Sequence, residues 1–308
     1  ARESRLRGSA ARLTRRIRDW FGALGSRIRI CRIGQGVAVF AGVAVAAVLV
    51  LIIGFILVKG LPYLVRNPSL IWGRFEFGGE KVTILPAIIT TLYAVGLSLL
   101  IAVPVGIMTA VFLNEYARRD NPLIRLIHSA IDILSGVPSI VYGLFGMITF
   151  VKLFGGSSSI LAGSLTVSMM LLPTIVRSTE ESLKSVPDSM REGSLALGAG
   201  KLRTIFKIVL PSALPGILSA VILSMGRVIS ESAPFLYTMG SVISAVPHGV
   251  SDSGASLAVA LYQLSGEGWY MNEAYATAVV LILLVLTLNL LAELAASRLS
   301  RKLKGASK

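Results

Sequence analysis

The chain has 308 residues, of which 54% are apolar, and its mean hydropathy of +0.76 excludes a soluble globular domain of this length. The net charge of +14 does not indicate a nucleic-acid-binding surface, because 10 of the 30 Lys and Arg residues fall within the first 35 positions and five more within 298–308. A single cysteine, Cys31, excludes an internal disulfide framework.

The first 35 residues combine arginines with apolar residues at helical spacing. This pattern favours an amphipathic helix that lies on the inner leaflet of a membrane, with its arginines near anionic lipid. A disordered basic segment that only fixes membrane topology explains the same composition, so both interpretations stay open. We treat residues 1–35 as a cytoplasmic tail and residues 36–308 as one transmembrane domain.

Six apolar runs are long enough to cross a bilayer as helices, since ~30 Å of hydrocarbon requires about 20 helical residues. The sequence therefore predicts an all-α integral membrane fold with six transmembrane helices. If the N-terminus is cytoplasmic, 24 of the 30 basic residues lie in inner segments, and the positive-inside rule then predicts that both termini are cytoplasmic. The predicted spans are Val37–Val58, Leu85–Leu113, Ile131–Phe154, Ile160–Ile175, Leu210–Phe235 and Ala274–Ala295.

The third span contains a predicted break, because Pro138 removes an intrahelical hydrogen bond and Gly136 loosens the backbone. A broken span can direct free backbone amides, together with the hydroxyls of Ser135 and Ser139, towards an anion. A kink that only serves helix packing is the alternative explanation.

A moderately polar segment, Arg191–Pro211, lies between two apolar runs. Its spacing resembles the cytoplasmic signature loop of ABC-importer permeases, which folds as a short coupling helix and docks on an ATP-hydrolysing subunit. The resemblance implies a coupling loop at about 188–209 that contacts the ATPase; an ordinary amphipathic loop is the alternative. The implied coupling residues are Glu192, Gly193, Ser194, Gly198, Ile208, Leu210 and Pro211.

The fifth span carries a charged pair, Arg227 and Glu231, on one predicted helix face that also includes Ser224. An ionised arginine in hydrocarbon costs at least ~2.5–3.5 kcal/mol, so it requires a partner, water or a function. Glu231 is the obvious partner. The pair either locks helix packing or holds Arg227 where its paired donors meet the oxygens of a passing anion.

Three motifs extend the resemblance to phosphate-importer permeases of the PstA type, over about residues 84–297. Arg227–Pro234 is similar to the family's Arg-x3-Glu-Thr-Ala-Pro element, with Ser232 in place of the Thr. Gly136–Gly146 is similar to its Gly-Val-Pro-Ser-Ile-Val run, and Leu172–Glu181 to its Leu-Pro-Ile-Val-Val-Arg run. The resemblance implies a type I ABC-importer permease architecture. The predicted translocation-path residues are Arg227, Glu231, Ser224, Ser135 and Ser139.

The resemblance further implies an importer of inorganic phosphate in a bacterial or archaeal plasma (inner) membrane. Its implied partners are a second, PstC-like permease, two ATPase subunits, an extracytoplasmic phosphate-binding protein and membrane lipid. ATP and Mg are expected on the ATPase, because Lys201 is followed by Leu202 and so completes no Walker A motif. We predict no catalytic, cofactor-binding or metal-binding residue on this chain, and therefore no enzyme. A sulfate or phosphonate importer, a secondary anion carrier and a membrane enzyme are the alternatives.

Overall fold

The structure is a computed structural model that describes residues 35–73, 83–118, 120–153, 155–241, 243, 246–266, 268 and 270–305, the last five without side chains. It divides into two units, Ala1–Leu57 and Val58–Lys308. The predicted tail at 1–35 lies almost wholly outside the described residues.

All regular elements among the described residues are helical. Three π-helical turns adjoin these helices, at Phe112–Tyr116, Met147–Val151 and Ile205–Val209. The helices are α1 Gln35–Arg66, α2 Ser69–Trp72, α3 Leu85–Val111, α4 Pro122–Ser135, α5 Ser139–Gly146, α6 Ile160–Lys184, α7 Asp188–Ala196, α8 Lys201–Thr204, α9 Leu210–Ser230, α10 Ala233–Thr238, α11 Leu257–Gly266 and α12 Met271–Gly305.

The described part of the first unit, residues 35–57, belongs to the apolar helix α1, and almost all of its side chains are exposed. An apolar helix satisfies its backbone polar groups internally and tolerates such exposure only where lipid replaces water. This stretch is therefore a membrane-spanning segment.

The second unit is built around α6, the most buried of the long apolar helices. It packs against α3 and α9, while α12 packs against α9 and α11. Small residues permit close approach: a Cβ at Gly106 of α3 would lie 2.6 Å from Ile175 Cγ2, and one at Gly216 of α9 would lie 3.0 Å from Ser182 Cβ. Close helix contacts at small residues are typical of membrane proteins, in which dispersion contacts drive association.

Hydroxyl groups also join the helices of this unit. The buried Thr91 Oγ1 of α3 accepts a 2.8 Å hydrogen bond from Leu257 N at the start of α11. Ser168 of α6 donates to Ser98 O of α3 at 3.0 Å. These bonds satisfy polar groups that lipid cannot serve.

Five described helices are long and apolar enough to cross a membrane, and the bent pair Pro122–Ser135 and Ser139–Val151 counts as a sixth if it forms one span. The chain is therefore a multi-pass membrane protein, and the all-α prediction is confirmed. The first, second and sixth predicted spans are also confirmed, because the apolar helices Gln35–Arg66, Leu85–Tyr116 and Met271–Ser300 contain them.

The other three predicted spans need correction. The break predicted within Ile131–Phe154 is confirmed, since α4 and α5 meet at 104°, but the helical segment begins earlier than predicted, at Pro122. The Gly136-Val137-Pro138 sequence lies at the bend: Pro138 lacks the N–H that would continue α4, and it is the N-cap residue of α5. Ile160–Ile175 is too short, because α6 continues to Lys184, which pairs with Glu180 one turn earlier.

Leu210–Phe235 is also wrong as one continuous helix. Helix α9 ends at Ser230, and α10 begins at Ala233. Pro234 lies in the first turn of α10, where its missing N–H costs nothing, and it would have removed a hydrogen bond from a longer α9.

Candidate translocation site and coupling segment

The charged pair lies at the end of α9 rather than within it. Glu231 follows the last helical residue in an extended conformation, with φ −75° and ψ 130°, so the prediction that it lies on the helix is wrong. Its Oε1 nevertheless lies 3.4 Å from Arg227 Nε. The Arg227 side chain is 41% exposed and that of Glu231 only 16%, so the carboxylate holds a guanidinium that can reach beyond this chain.

The break after α9 lies directly beside α5. A Cβ at Gly143 of α5 would lie 3.0 Å from Pro234 Cα and 3.1 Å from Ala233 O, so only glycine allows this approach. The motifs Gly136–Gly146 and Arg227–Pro234, about 90 residues apart in sequence, are therefore neighbours. The structure brings the interrupted span and the charged pair into one region.

The three predicted serines have different surroundings. Ser135 is exposed, and its hydroxyl donates a 2.7 Å hydrogen bond to Asp132 O of its own helix. Ser139 is half-buried and is the first residue of α5. Ser224 is buried, and its hydroxyl has no hydrogen-bond partner among the described residues. Ser224 therefore does not share the exposed surface that Arg227 reaches.

Two contacts at the bend were not predicted. Arg177 of α6 forms an ion pair with Asp132 of α4. The Tyr142 hydroxyl of α5 donates a 2.8 Å hydrogen bond to Leu134 O, which ties the two arms of the bend together. Because the predicted fourth span ended at Ile175, Arg177 was assigned to a loop. The sequence did contain a signal for it, since Arg177 is a charged residue only four positions after Pro173 in an apolar run.

The predicted coupling segment begins with a short helix, α7. Glu192 and Gly193 are exposed, and a Cβ at Gly193 would meet no atom within 4 Å. Ser194 is buried, and its hydroxyl lies 2.9 Å from Thr204 Oγ1 of α8. Gly198 follows the helix with φ +83°, a left-handed conformation that glycine adopts without strain.

The end of the segment enters the core through residues that the sequence did not single out. Ile205 and Val209 of the π-helical turn are buried among apolar residues of α3 and α6. The predicted Ile208, Leu210 and Pro211 are only half-buried. Their burial depends on which face of the turn points inwards, which the motif spacing does not specify.

Between residues 195 and 206 of this segment, four large apolar side chains are exposed. Together with Glu192 they form a surface that we call the coupling surface. Its apolar residues are Leu195, Leu197, Leu202 and Phe206. An exposed apolar group on a polar segment is a typical protein-contact surface.

Arg191 anchors α7 to the rest of the second unit. Its guanidinium donates to Glu115 Oε1 at 3.0 Å, to Leu183 O at 2.8 Å and to Val186 O at 2.7 Å. Nearby, Lys201 Nζ lies 4.8 Å from the centroid of the Tyr116 ring, within cation–π range. The end of α3 thus holds both sides of the coupling segment. No spacing rule marked Arg191, because it precedes the signature in a segment rich in basic residues.

Metal chemistry has no support in the part of the chain that the structure describes, where no group of three or more His, Cys, Asp or Glu could hold an ion. The geometry instead combines an interrupted span, a tethered guanidinium and an exposed contact surface. This combination is typical of a transporter subunit that works with other chains.

Comparison with known proteins identifies the class. Residues 102–305 match the family described as the inner membrane component of binding-protein-dependent transport systems, and the chain belongs to this family. Membership confirms the predicted ABC-transporter permease and agrees with the prediction that the chain is a transport subunit rather than an enzyme.

The chain is 30% identical over 294 residues to the probable ABC transporter permease protein YqgI of Bacillus subtilis, covering 88% of this chain and 97% of that one. It is 39% identical over 211 residues to the phosphate transport system permease protein PstA 1 of Mycobacterium tuberculosis, covering 67% and 68%. A PstA of Mycobacterium leprae is 42% identical over 194 residues, covering 62% of this chain and 63% of the relative.

Solved structures confirm the fold. A chain of a bacterial alginate ABC transporter, in complex with its periplasmic protein, superposes with a TM-score of 0.61 at 16% identity, covering 87% of this chain and 96% of that one. A chain of the MetNI methionine ABC transporter in an inward-facing conformation superposes with a TM-score of 0.53 at 22% identity, covering 71% and 94%. The predicted type I importer permease architecture is therefore confirmed.

Proposed function

We propose that this chain is the permease subunit of an ATP-driven importer of inorganic phosphate. The observation that carries the proposal is the Arg227 guanidinium, tethered by Glu231 at the end of α9, where the chain breaks beside α5. The identity to relatives named as phosphate transport permeases supports phosphate as the substrate.

The chemistry of the pair suits a transported anion. A guanidinium presents paired donors in a plane, which match two oxygens of a phosphate. A pathway must also release its ion, and the Glu231 carboxylate, at 3.4 Å from Nε, offsets part of the positive charge that would otherwise retain a dianion. Glu231 also limits the orientations of Arg227. We assign Ser139 and Ser135 to the rim of this path and leave Ser224 as a packing residue.

ATP hydrolysis is assigned to a separate chain that binds ATP and Mg. That ATPase would dock on the coupling surface, where Glu192 and Gly193 leave room and Leu197 and Leu202 provide apolar contact. Arg191 and Lys201 would then transmit its movement to the end of α3. A docked helix can transmit a displacement only through such specific contacts, since a freely hinged segment would absorb it.

The complete importer in this proposal lies in a bacterial or archaeal plasma (inner) membrane with both termini of this chain in the cytoplasm. It contains a second, PstC-like permease, two ATPase subunits and an extracytoplasmic phosphate-binding protein. The basic ends of the chain favour this orientation, because Lys and Arg are retained on the cytoplasmic side.

The test is uptake of radiolabelled phosphate by cells that depend on this importer. Arg227→Ala is expected to abolish uptake while the complex still purifies intact, and Arg227→Lys to restore it only partly, because a lysine cannot present paired donors. The matched control is Arg298→Ala, which removes an exposed basic residue of α12. This variant should take up phosphate normally. Normal uptake with Arg227→Ala would refute the assignment.

The same assay separates the alternatives. Excess sulfate or phosphonate should leave phosphate uptake unchanged, whereas competition by either would indicate another oxyanion importer. Uptake that survives ATP depletion and stops with an uncoupler would indicate a secondary carrier.

A further inference from the structure

A second group of charged side chains lies away from Arg227, around a cavity between the end of α3, the beginning of α4 and the end of α6. The cavity has a volume of about 270 Å³. Its polar lining comes from Asn114, Arg125, His128, Glu180 and Lys184. The translocation path described above uses none of these residues.

Glu180 is the unusual member of the group. Its side chain is only 7% exposed, and Lys184 Nζ donates to its Oε2 at 3.2 Å. Its Oε1 is buried and has no hydrogen-bond partner among the described residues. His128 Nδ1 lies 3.9 Å from this oxygen, which is beyond hydrogen-bonding range.

A buried carboxylate oxygen without a donor keeps the full cost of its lost hydration. The oxygen lies at a cavity large enough to admit a small molecule. The structure therefore presents an acceptor that lacks a donor, beside a space in which a donor fits.

The other side chains of the cavity supply donors of their own. Arg125 is exposed and forms no ion pair with any residue of the described ranges. Together, Arg125 and Lys184 exceed the single Glu180 carboxylate by one positive charge. A ligand here must accept hydrogen bonds from Arg125 and Lys184 and also donate one to Glu180 Oε1.

Inorganic phosphate has both properties, because at neutral pH it is an anion that retains at least one P–OH group. Sulfate is an anion of similar shape without a proton to donate. The phosphodiester of a common phospholipid headgroup also lacks a P–OH. We infer that this cavity is a binding site for inorganic phosphate, with Arg125 and Lys184 on its unprotonated oxygens and Glu180 accepting from its hydroxyl.

The position of the site gives it a consequence for transport. Asn114 adjoins Glu115, which accepts from Arg191, and Lys184 is the last residue of α6, whose Leu183 carbonyl also accepts from Arg191. Phosphate in the cavity connects α3, α4 and α6 at the place where the coupling segment is anchored. Given the proposed function, this site faces the cytoplasm and slows import when internal phosphate is abundant. The binding itself does not depend on that function.

The test is equilibrium binding of radiolabelled phosphate to the purified complex in phosphatidylcholine nanodiscs, with Arg227→Ala present to disable the proposed path. The double variant Arg125→Ala with Lys184→Ala is expected to weaken phosphate binding at this cavity at least tenfold. Arg125→Ala alone is expected to weaken it to the same extent without a folding defect, because Arg125 is exposed. The difference in phosphate binding between parent and variant reports on this cavity alone, because other phosphate sites of the complex are the same in both. Arg298→Ala is the control and should leave binding unchanged.

Competition then tests the role of Glu180. Excess sulfate should not displace phosphate from the parent, and Glu180→Gln should allow it to, because an amide can donate to an unprotonated oxygen. Unchanged phosphate binding in the Arg125 variants would overturn the inference. Equal competition by sulfate in the parent, or loss of phosphate binding when phosphatidylglycerol is added to the nanodiscs, would also overturn it. If the purified complex binds phosphate at this cavity as expected but intact cells take up no phosphate, only the proposed transport function is rejected.

Discussion

Replacing Glu115 with alanine should release α7 from the end of α3. Glu115 is the buried carboxylate that pairs with Arg191, at 3.0 Å to one guanidinium nitrogen and 3.3 Å to another. The two side chains are 9% and 17% exposed, so solvent screens the pair weakly. After the substitution, the buried guanidinium keeps only two backbone carbonyls and the exposed Asp188 as partners.

The magnitude follows from this burial. Removing one partner of a buried ion pair costs about 3–5 kcal/mol, because the remaining charge stays desolvated. Two carbonyl acceptors and partial exposure reduce the loss here, so we expect the lower end, about 3 kcal/mol. At about 1.4 kcal/mol per factor of ten, the equilibrium for opening of α7 should increase roughly a hundredfold.

Amide hydrogen exchange over residues 188–196 measures this opening directly, and the ratio of ATP hydrolysed to phosphate imported measures its consequence. Both should rise in Glu115→Ala. Asp188→Ala provides a matched control, since Asp188 contacts the same guanidinium at 3.0 Å but is 87% exposed. Screening limits that contact to less than about 1 kcal/mol, so exchange should change little. Equal effects of the two substitutions, or no effect of Glu115→Ala, would refute the reasoning.

Three further outcomes can be checked by thermal unfolding of the purified complex. Gly193→Ala should stabilise α7 by up to about 1 kcal/mol and retain transport, because the new Cβ meets no atom and alanine favours the helix; a loss of transport would contradict the assigned open space. Gly146→Val should destabilise by about 1–3 kcal/mol or more, since even a Cβ would lie 2.7 Å from Thr166 Cγ2 of α6, and an unchanged unfolding temperature would contradict that packing. Thr91→Val should cost about 1–3 kcal/mol by leaving the buried Leu257 N–H unpaired, whereas Thr109→Val, whose hydroxyl bonds only within its own helix, should cost little.

The sequence predicted the existence of the spans better than their ends. Hydropathy identifies a segment that prefers lipid, and α1, α3 and α12 are long runs that it locates well. Hydropathy does not indicate the residue at which a helix ends. Pro138 and Pro234 both begin new helices, and only the first was identified as a break.

The candidate site was predicted in part for the same reason. Arg227 and Glu231 were identified because charges are conspicuous in an apolar run, and their contact survives the end of the helix. The partners of Arg191 and Arg177 are 76 and 45 residues distant in sequence, and no periodicity relates them. Contacts at such separation depend on the tertiary packing of α3, α4 and α6, which a single sequence does not reveal.

The 104° bend between α4 and α5 determines what must surround this chain in the membrane. Helix α4 ends and α5 begins at Gly136–Pro138, and in this chain Gly136 and Pro138 are exposed. Hydrocarbon cannot satisfy an interrupted backbone, so such a break persists in a membrane only where water or protein covers it. A lone copy surrounded by lipid would leave polar backbone groups of this break without partners. The break therefore requires water or another protein surface around it.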